Sequence, residues 1–425
     1  MAETARRVVV TGMGCITPLG INVDETWQGI VSGNSGIRSI RGDILANYPQ
    51  LKVTVAAPID GFDFRSDQAL ANVYSERDLG RLHRGAQFAL WAGQEALLQA
   101  GALQSDKLKI DSTQADPNRV GIRMGTGIGG ANLLGMSRER LTDGKRIAPS
   151  VVLQVLPERV ATTLSMLVGA RGSVHTAIGA CATGNMNIIA AAQQLVLNQA
   201  DMMIAGGAEA QITPEGLGLF DGTSALDNTE DAAWASRPFN KSGKGFVMGE
   251  GAGVLVLETL EHARRRGATI IAELTGYGET ADAYHDTAPS GEGAVRALQL
   301  TCVGLSKSER GYVNAHATGT SGDGTELRAI AQVLDPSQAA ISSTKSQIGH
   351  LLGAASAVES IISICALRDG IIPASLKMTD PIEETEGWDM SPDAPTKRTL
   401  DYVVNDSFGF GGLNAVTMYR NVIDT

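Results

Sequence analysis

Apolar, β-branched runs break repeatedly into glycine, serine or threonine and then into helically spaced apolar patterns, from one end of this chain to the other. This alternation constrains the fold more than any other feature, because strands that alternate with helices build α/β layers. A first series places strands at 7–11, 120–124, 173–180, 202–205 and 251–258, with helices predicted over 75–101, 156–168 and 185–199. A second places strands at 270–275, 312–315, 340–343, 402–405 and 413–419, with helices predicted near 291–304, 325–334 and 351–368. The implied architecture has helices outside and a helix layer between. No literal sequence repeat links the halves, so any duplication is structural.

A length of 425 residues exceeds what one hydrophobic core usually serves, which implies two to three domains or two fused halves. The 50 glycines imply many tight turns and close backbone approaches, and 43% apolar residues against 19% charged ones exclude a disordered chain. A net charge of −11 argues against a nucleic-acid platform but leaves room for a local basic patch. Cys15, Cys181, Cys302 and Cys365 lie far apart with no Cys-x-x-Cys spacing, as expected in a reducing compartment. The uncharged run 8–23 is interrupted by Thr11, Gly12, Gly14, Thr17, Pro18 and Gly20, and no membrane span follows. The expectation is a soluble cytoplasmic protein without membrane insertion.

Three blocks concentrate the chemistry: Gly179-Ala180-Cys181-Ala182-Thr183-Gly184, Ala315-His316-Ala317-Thr318-Gly319-Thr320 and Lys345-Ser346-Gln347-Ile348-Gly349-His350. Each lies where a strand yields to a polar turn, so one thiol and two imidazoles should gather at strand ends. Cys181 is expected at a strand-to-helix turn, where the helix dipole and free amides stabilise a thiolate or a developing oxyanion. His350 is expected to open a helix whose N-terminus keeps its imidazole neutral. Lys345 reads as a surface ammonium or a site residue, and its place between Thr344 and Ser346 near His350 favours the site. Cys15, Cys302 and Cys365 read as inert packing residues, His83, His175 and His262 as structural or solvated, and His285 as supporting. Gly125–Gly130 satisfies G-x-G-x-x-G, but no acidic residue closes a second strand at the required distance. A tight turn, or a backbone lining a substrate pocket, fits better than a dinucleotide site.

With Ser407-Phe408-Gly409-Phe410-Gly411-Gly412 added, the blocks resemble those of the elongating β-ketoacyl-acyl-carrier-protein synthases, closest to the type II synthase of fatty acid synthesis, and the likeness runs from Arg7 to Tyr419. The resemblance implies a thiolase fold, two βαβαβαββ halves (1–262 and 263–425) in a five-layered α-β-α-β-α sandwich, usually a homodimer. It implies a decarboxylative Claisen condensation of a Cys181-bound acyl chain with malonyl-acyl carrier protein. Such chemistry needs a nucleophile to hold the acyl group and N–H donors for the charge that forms on the malonyl oxygen as CO2 leaves, roles suited to Cys181 and to His316 and His350.

By the same resemblance Lys345 orders the site electrostatically, Phe408 adds its N–H to that of Cys181 for the acyl oxyanion, and Phe410 gates the channel. Thr318 and Thr320 contact the phosphopantetheine arm of acyl carrier protein, and Ile128 lines the acyl pocket. No cofactor and no catalytic metal are implied, although Asn314, Ala315, Glu359, Asn405 and Asp406 can surround water or a monovalent cation. Asp406 stands where relatives often carry Asn. Arg81 and Arg84 are candidates for docking the acidic carrier, while Ser224 departs from a basic docking residue of the family.

A thiolase proper would need a second Cys in 407–412, and a starter-unit synthase would need Asn at His350. A type II polyketide ketosynthase, working as a heterodimer with a chain-length subunit, shares all four blocks. A non-catalytic acyl-chain binding or chain-length subunit would lack Cys181.

Overall fold

Val8–Ile16 (β1) is buried at every position and continues through Gly12 and Gly14, five residues beyond the predicted end at 11, with a register shift between Val10 and Gly12. The glycines serve a helix. Arg84–Gln99 (α1) lies so close that a Cβ at Gly12 or Gly14 would fall 2.0 Å from the carbonyl oxygen of Ala96 or Ala92. The computed structural model describes residues 6–104, 107–223 and 225–423, so Ser224 lies outside the described residues. The helix predicted over 75–101 divides in two, because Ser75 and His83 each cap a separate start and Gly80 ends the short turn Glu76–Leu79.

The first half continues through Val120–Gly125 (β2), Arg159–Val168 (α2), Val174–His175 (β3), Thr183–Val196 (α3), Met202–Glu209 (β4) and Gly251–Thr259 (β5). The second comprises Ala272–Ala281 (β6), Glu292–Thr301 (α4), Gly311–Asn314 (β7), Gly322–Ile330 (α5), Ala339–Ser342 (β8), Ala355–Asp369 (α6), Tyr402–Gly409 (β9) and Leu413–Arg420 (β10). Each half thus reads βαβαβαββ. The ten strands lie in the order β8-β7-β9-β10-β6-β1-β5-β4-β2-β3. Counted by half, the arrangement is 3-2-4-5-1 twice, with parallel pairs among the first three strands and antiparallel pairs among the rest. The duplication absent from the letters is present in the topology. The two sheets join along β1 and β6 over only three residue pairs, Val8–Leu274 to Val10–Ala272.

α3 and α6 pack between the sheets, α1 and α2 cover the outer face of the first, and α4 and α5 cover the second, giving the expected α-β-α-β-α layers. α6 is buried on every side from Ala355 to Leu367, as a helix in a central layer must be. Its polar residues are therefore obliged to find partners inside the protein. The strand predicted over 173–180 shrinks to Val174–His175, and a loop carries the chain to the 3-10 turn Ala180–Ala182.

Candidate active site

Cys181 sits in that 3-10 turn, immediately ahead of α3 in the central layer. Ala180 before it takes φ +49°, a left-handed conformation that costs a non-glycine residue on the order of 1 kcal/mol or more and is characteristic of functional turns. The turn is held from the second half: Ser407 Oγ donates to the Cys181 carbonyl at 3.0 Å and Asn185 N–H to Ser356 Oγ at 2.9 Å. Gly409 presses so closely on the preceding loop that a Cβ there would fall 2.4 Å from the Gly179 carbonyl oxygen.

The two imidazoles arrive from the other half. His350 Nε2 lies 2.9 Å from Cys181 Sγ, and the His316 ring meets the His350 ring edge to face at 5.3 Å between centroids. Sγ and one ring nitrogen of each histidine fall within 4.8 Å of one another. Burial, followed by the charge of Lys345, holds both imidazoles well below the ordinary histidine range, so both are neutral at physiological pH. His350 does not open a helix as expected. It forms a bridge with Met248, and α6 begins five residues later. Its neutrality therefore comes from burial and a neighbouring cation rather than from a helix dipole. Among the described residues neither Nδ1 has a hydrogen-bond partner, so neither tautomer is pinned there and each Nε2 is able to accept or donate.

Burial pushes the Cys181 thiol up to about 12, against the opposing pull of Lys345 and of the N–H groups of Phe410 and Cys181 itself. The thiol is thus a proton carrier at rest, and His350 Nε2 is placed to take its proton. The second amide facing sulfur belongs to Phe410 and not to Phe408, which corrects the expectation. Phe408 is still paired with Asn414 inside β9, whereas Phe410 lies in the turn after the strand, where its N–H is released from the ladder. The Phe408 ring instead stands 6.1 Å from the His316 ring.

Lys345 is 1% exposed and donates to Glu359 Oε1 at 2.5 Å, with Glu359 also 1% exposed. Helical spacing alone could not bring Glu359 to the site, and the partner that does so comes from the short helix Lys345–Ile348.

Around His316 the backbone is held by three buried acids that sequence reasoning did not single out for this task. The N–H of His316 donates to Asp406 Oδ1 at 2.8 Å, that of Ala317 to Glu326 Oε2 at 2.9 Å, and those of Thr318, Gly319 and Thr320 to Asp323 at 3.0, 3.1 and 3.2 Å. Five successive amides are thereby fixed. Asp323 and Glu326 lie three residues apart in the first turns of α5, the one local signal that pointed to them. Burial pushes the carboxyls of both Asp406 and Glu326 up, and the two lie within reach of each other, which calls for a shared proton. Glu209 does similar work nearby, accepting from Thr126 Oγ1 and from the N–H groups of Gly127 and Gly353.

A cavity of about 700 Å³ opens onto this constellation and is lined by Cys181, His316 and His350 together with Ile128, Thr318, Thr320, Phe408 and Phe410. The G-x-G-x-x-G segment contributes Gly127 and Ile128 to its wall, so its backbone lines a pocket. Phe410 is 39% exposed at the boundary between this cavity and a smaller adjoining one. Arg84 lies elsewhere. It is bound to Glu250 and to the Ile59 carbonyl and stacks on Phe62 and Phe88, beside a separate cleft. Arg81 is more open, with Asp78 at 3.5 Å.

Asn314 Oδ1, Glu359 Oε2 and Asn405 Oδ1 are buried oxygens that receive no N–H or O–H from the described residues, the kind of orphaned acceptor that a monovalent cation would satisfy, whereas Asp406 is engaged by His316 and Glu326. No described helix is long and apolar enough to cross a membrane.

A duplicated 3-2-4-5-1 fold with Cys, His and His at the seam defines a thiolase-like condensing enzyme. Residues 5–263 match the beta-ketoacyl synthase N-terminal domain and 271–379 the beta-ketoacyl synthase C-terminal domain, and the chain belongs to the beta-ketoacyl synthase family. It is 37% identical to 3-oxoacyl-[acyl-carrier-protein] synthase 2 of Vibrio harveyi, over 99% of both chains. It is 36% identical to the protein of the same name from Staphylococcus aureus strain COL, over 98% of both. Among solved structures it resembles a beta-ketoacyl synthase from Burkholderia phymatum, with TM-score 0.88, 30% identity and coverage of 98% of this chain and 100% of that one. It also resembles a type II polyketide ketosynthase bound to a hexaketide and in complex with its acyl-carrier protein, with TM-score 0.86, 29% identity and coverage of 99% and 100%. The ishigamide ketosynthase/chain length factor gives the same values.

Proposed function

We propose that this chain is a β-ketoacyl-acyl-carrier-protein synthase of fatty acid elongation, an acyltransferase that works without a cofactor on substrates carried by the phosphopantetheine arm. The approach of His350 Nε2 to Cys181 Sγ, 2.9 Å, inside a pocket that His316 shares, supports this reading above all. In the first half-reaction Sγ attacks the acyl thioester carbon and its proton passes to His350 Nε2. The N–H groups of Cys181 and Phe410 hold the oxyanion, and the departing phosphopantetheine sulfur receives the proton. In the second, the malonyl carboxylate leaves as CO2 and its electron pair moves to the thioester oxygen, held by Nε2–H of His316 and His350. The resulting carbanion attacks the acyl carbon and Cys181 Sγ departs as a thiolate, which takes up one proton from solvent to restore the resting thiol. Neutral imidazoles suit the second step, since each donates a proton in a hydrogen bond without giving it up.

Lys345 supplies the fixed positive charge beneath the thiol, and Glu359 keeps it in place. Thr318 and Thr320 receive the arm, Ile128 bounds the acyl chain, Phe410 gates it, and Arg81 contributes to docking of the acidic carrier. A monovalent cation held by Asn314, Ala315, Glu359, Asn405 and Asp406 would add positive charge to the carboxyl-rich floor. The halves 1–262 and 263–425 act as one unit because each supplies part of the site. A homodimer is proposed, in the cytoplasm.

The likeness to a type II polyketide ketosynthase and to a ketosynthase/chain length factor supports a second reading, in which the chain extends β-keto intermediates beside a chain-length subunit. Condensation assays with saturated and β-keto carrier-bound chains of graded length separate the two. The common step is tested by intact-mass measurement after incubation with acyl-carrier thioester: the wild-type chain gains the acyl mass and Cys181→Ala does not. An adduct on the Ala variant would overturn the assignment.

A further inference from the structure

The large cavity has one formally charged side chain among its described lining residues, Lys244, which is exposed at its rim. No carboxylate among the described residues pairs with it, although Lys145 finds Asp143 elsewhere on this surface. The adjoining recess holds Asp282, but that carboxylate is occupied by Ser290 N–H and Asn414 Nδ2. Asp323 and Glu326, which also border the recess, are spent on the amides of 317–320.

The backbone bearing Lys244 is fixed with unusual closeness to the loop beside it. Gly245 N–H donates to the Gly319 carbonyl at 3.1 Å. A Cβ at Gly243 would fall 2.6 Å from that same oxygen. Gly245, at φ +123°, would bring a Cβ to 2.4 Å from the Ala225 carbonyl, so only glycine serves there. Arg237 ties Ser242 just upstream, donating to its Oγ and to its carbonyl at 2.8 and 2.7 Å. Lys244 is thereby held on a braced segment against Gly319, the residue between Thr318 and Thr320, and only its flexible stem is free to move.

We infer that Lys244 binds the phosphodiester of the incoming phosphopantetheine arm and so discriminates carrier-borne thioesters from phosphate-free ones. The inference rests on the condensing-enzyme reading above and names a recognition residue for it. An unpaired ammonium at a rim whose other described lining is neutral finds its most favourable partner in an anion. The arm must pass this rim to deliver a thioester to Cys181, because the pocket that Lys244 borders is the one containing the thiol. A carboxylate on the carrier surface offers the same charge, and the test separates the two sources.

Three malonyl substrates are compared in Lys244→Ala, Lys244→Arg and wild type: the carrier thioester, the phosphopantetheine thioester and the pantetheine thioester lacking phosphate. Loss of one charge-assisted contact at a hydrated rim corresponds to a rise in KM of about three- to tenfold. That rise is expected in Lys244→Ala for the first two substrates, with the pantetheine value and kcat unchanged. Lys244→Arg is expected to retain wild-type KM, and the difference should shrink as salt is raised several-fold, as for any exposed ion contact (roughly a 10 Å screening length at 0.1 M). A rise confined to the carrier thioester would assign the contact to a carrier carboxylate and overturn the phosphate assignment, as would equal KM values for all three. Failure of the wild-type protein to turn over any malonyl thioester would instead refute the condensing-enzyme reading itself.

Discussion

The Lys345–Glu359 pair makes a quantitative test of how the site is held. Both groups are 1% exposed and 2.5 Å apart. Removing either partner strands a charge in the interior, for which a loss of roughly 3–5 kcal/mol of stability is expected. Lys345→Met and Glu359→Leu should each show that loss in chemical denaturation. The double variant replaces both charges by apolar groups of similar size, so it should recover most of it. Reactivity should not recover. Lys345 is the largest influence holding the Cys181 thiol down against burial. Each tenfold weakening of a thiol's acidity removes tenfold of its thiolate, and greater intrinsic nucleophilicity returns about half of that on a logarithmic scale, a net loss of roughly threefold each time. Iodoacetamide labelling of Cys181, followed by mass spectrometry at mildly alkaline pH, should therefore be several-fold slower in the double variant than in wild type at equal stability. Wild-type labelling in a stable double variant would refute the electrostatic role, and additive destabilisation would refute the pairing.

His316→Ala should retain most of the acyl transfer to Cys181 and lose malonyl decarboxylation by on the order of a hundred- to a thousandfold, measured as CO2 release. His350→Ala should slow both steps, since its Nε2 touches the thiol; equal effects of the two variants on acylation would contradict this. Phe410→Ala should weaken the exclusion of malonyl decarboxylation before acylation, read as CO2 release without an acyl donor, while Cys181 stays reactive because the Phe410 amide remains. Asp406→Asn should change how stability depends on pH. Burial raises the Asp406 carboxyl above its unfolded value to about 7, so its contribution is complete below about pH 4 and is lost as pH rises through the folded value, by about 1.4 kcal/mol for every tenfold change in acidity between the two states. The Asn variant keeps an acceptor for His316 N–H and offers a donor to Glu326, so its advantage over wild type should grow from about pH 5 to about pH 8 in denaturant titrations. A gap that stays constant over that range would show that no shared proton is involved.

The strand and helix alternation, the layers and the three reactive side chains were legible because each rests on a local signal: periodicity, a glycine-rich break, a reactive residue at a strand end. Errors arose where tertiary contact overrode such signals. Gly12 and Gly14 read as the end of a strand at 11, yet they lie within it and admit a helix from residues far along the chain. His350 read as a helix start because the apolar pattern begins at once, but its backbone was claimed by Val247 and Gly249. Choosing between the amides of Phe408 and Phe410 required knowing where pairing with β10 ends, and nothing in the Gly-rich run marks that residue. The carboxylates that fix 316–320 were visible only as acids near a helix start; that they enter the interior to collect five amides follows from the docking of α5 and β9.

The site draws its thiol from one topological repeat and its imidazoles from the other, with α3 and α6 buried face to face between the sheets. During refolding, each repeat is able to form strands and helices before the two meet, but Cys181 and His350 come within reach only when the central layer closes. Recovery of helical circular dichroism should therefore precede recovery of turnover, and the delay measures the closing step itself. In that interval α6, which the finished protein buries on every side, exposes its apolar residues to solvent, which makes the half-assembled chain a substrate for chaperones and prone to aggregate as its concentration rises.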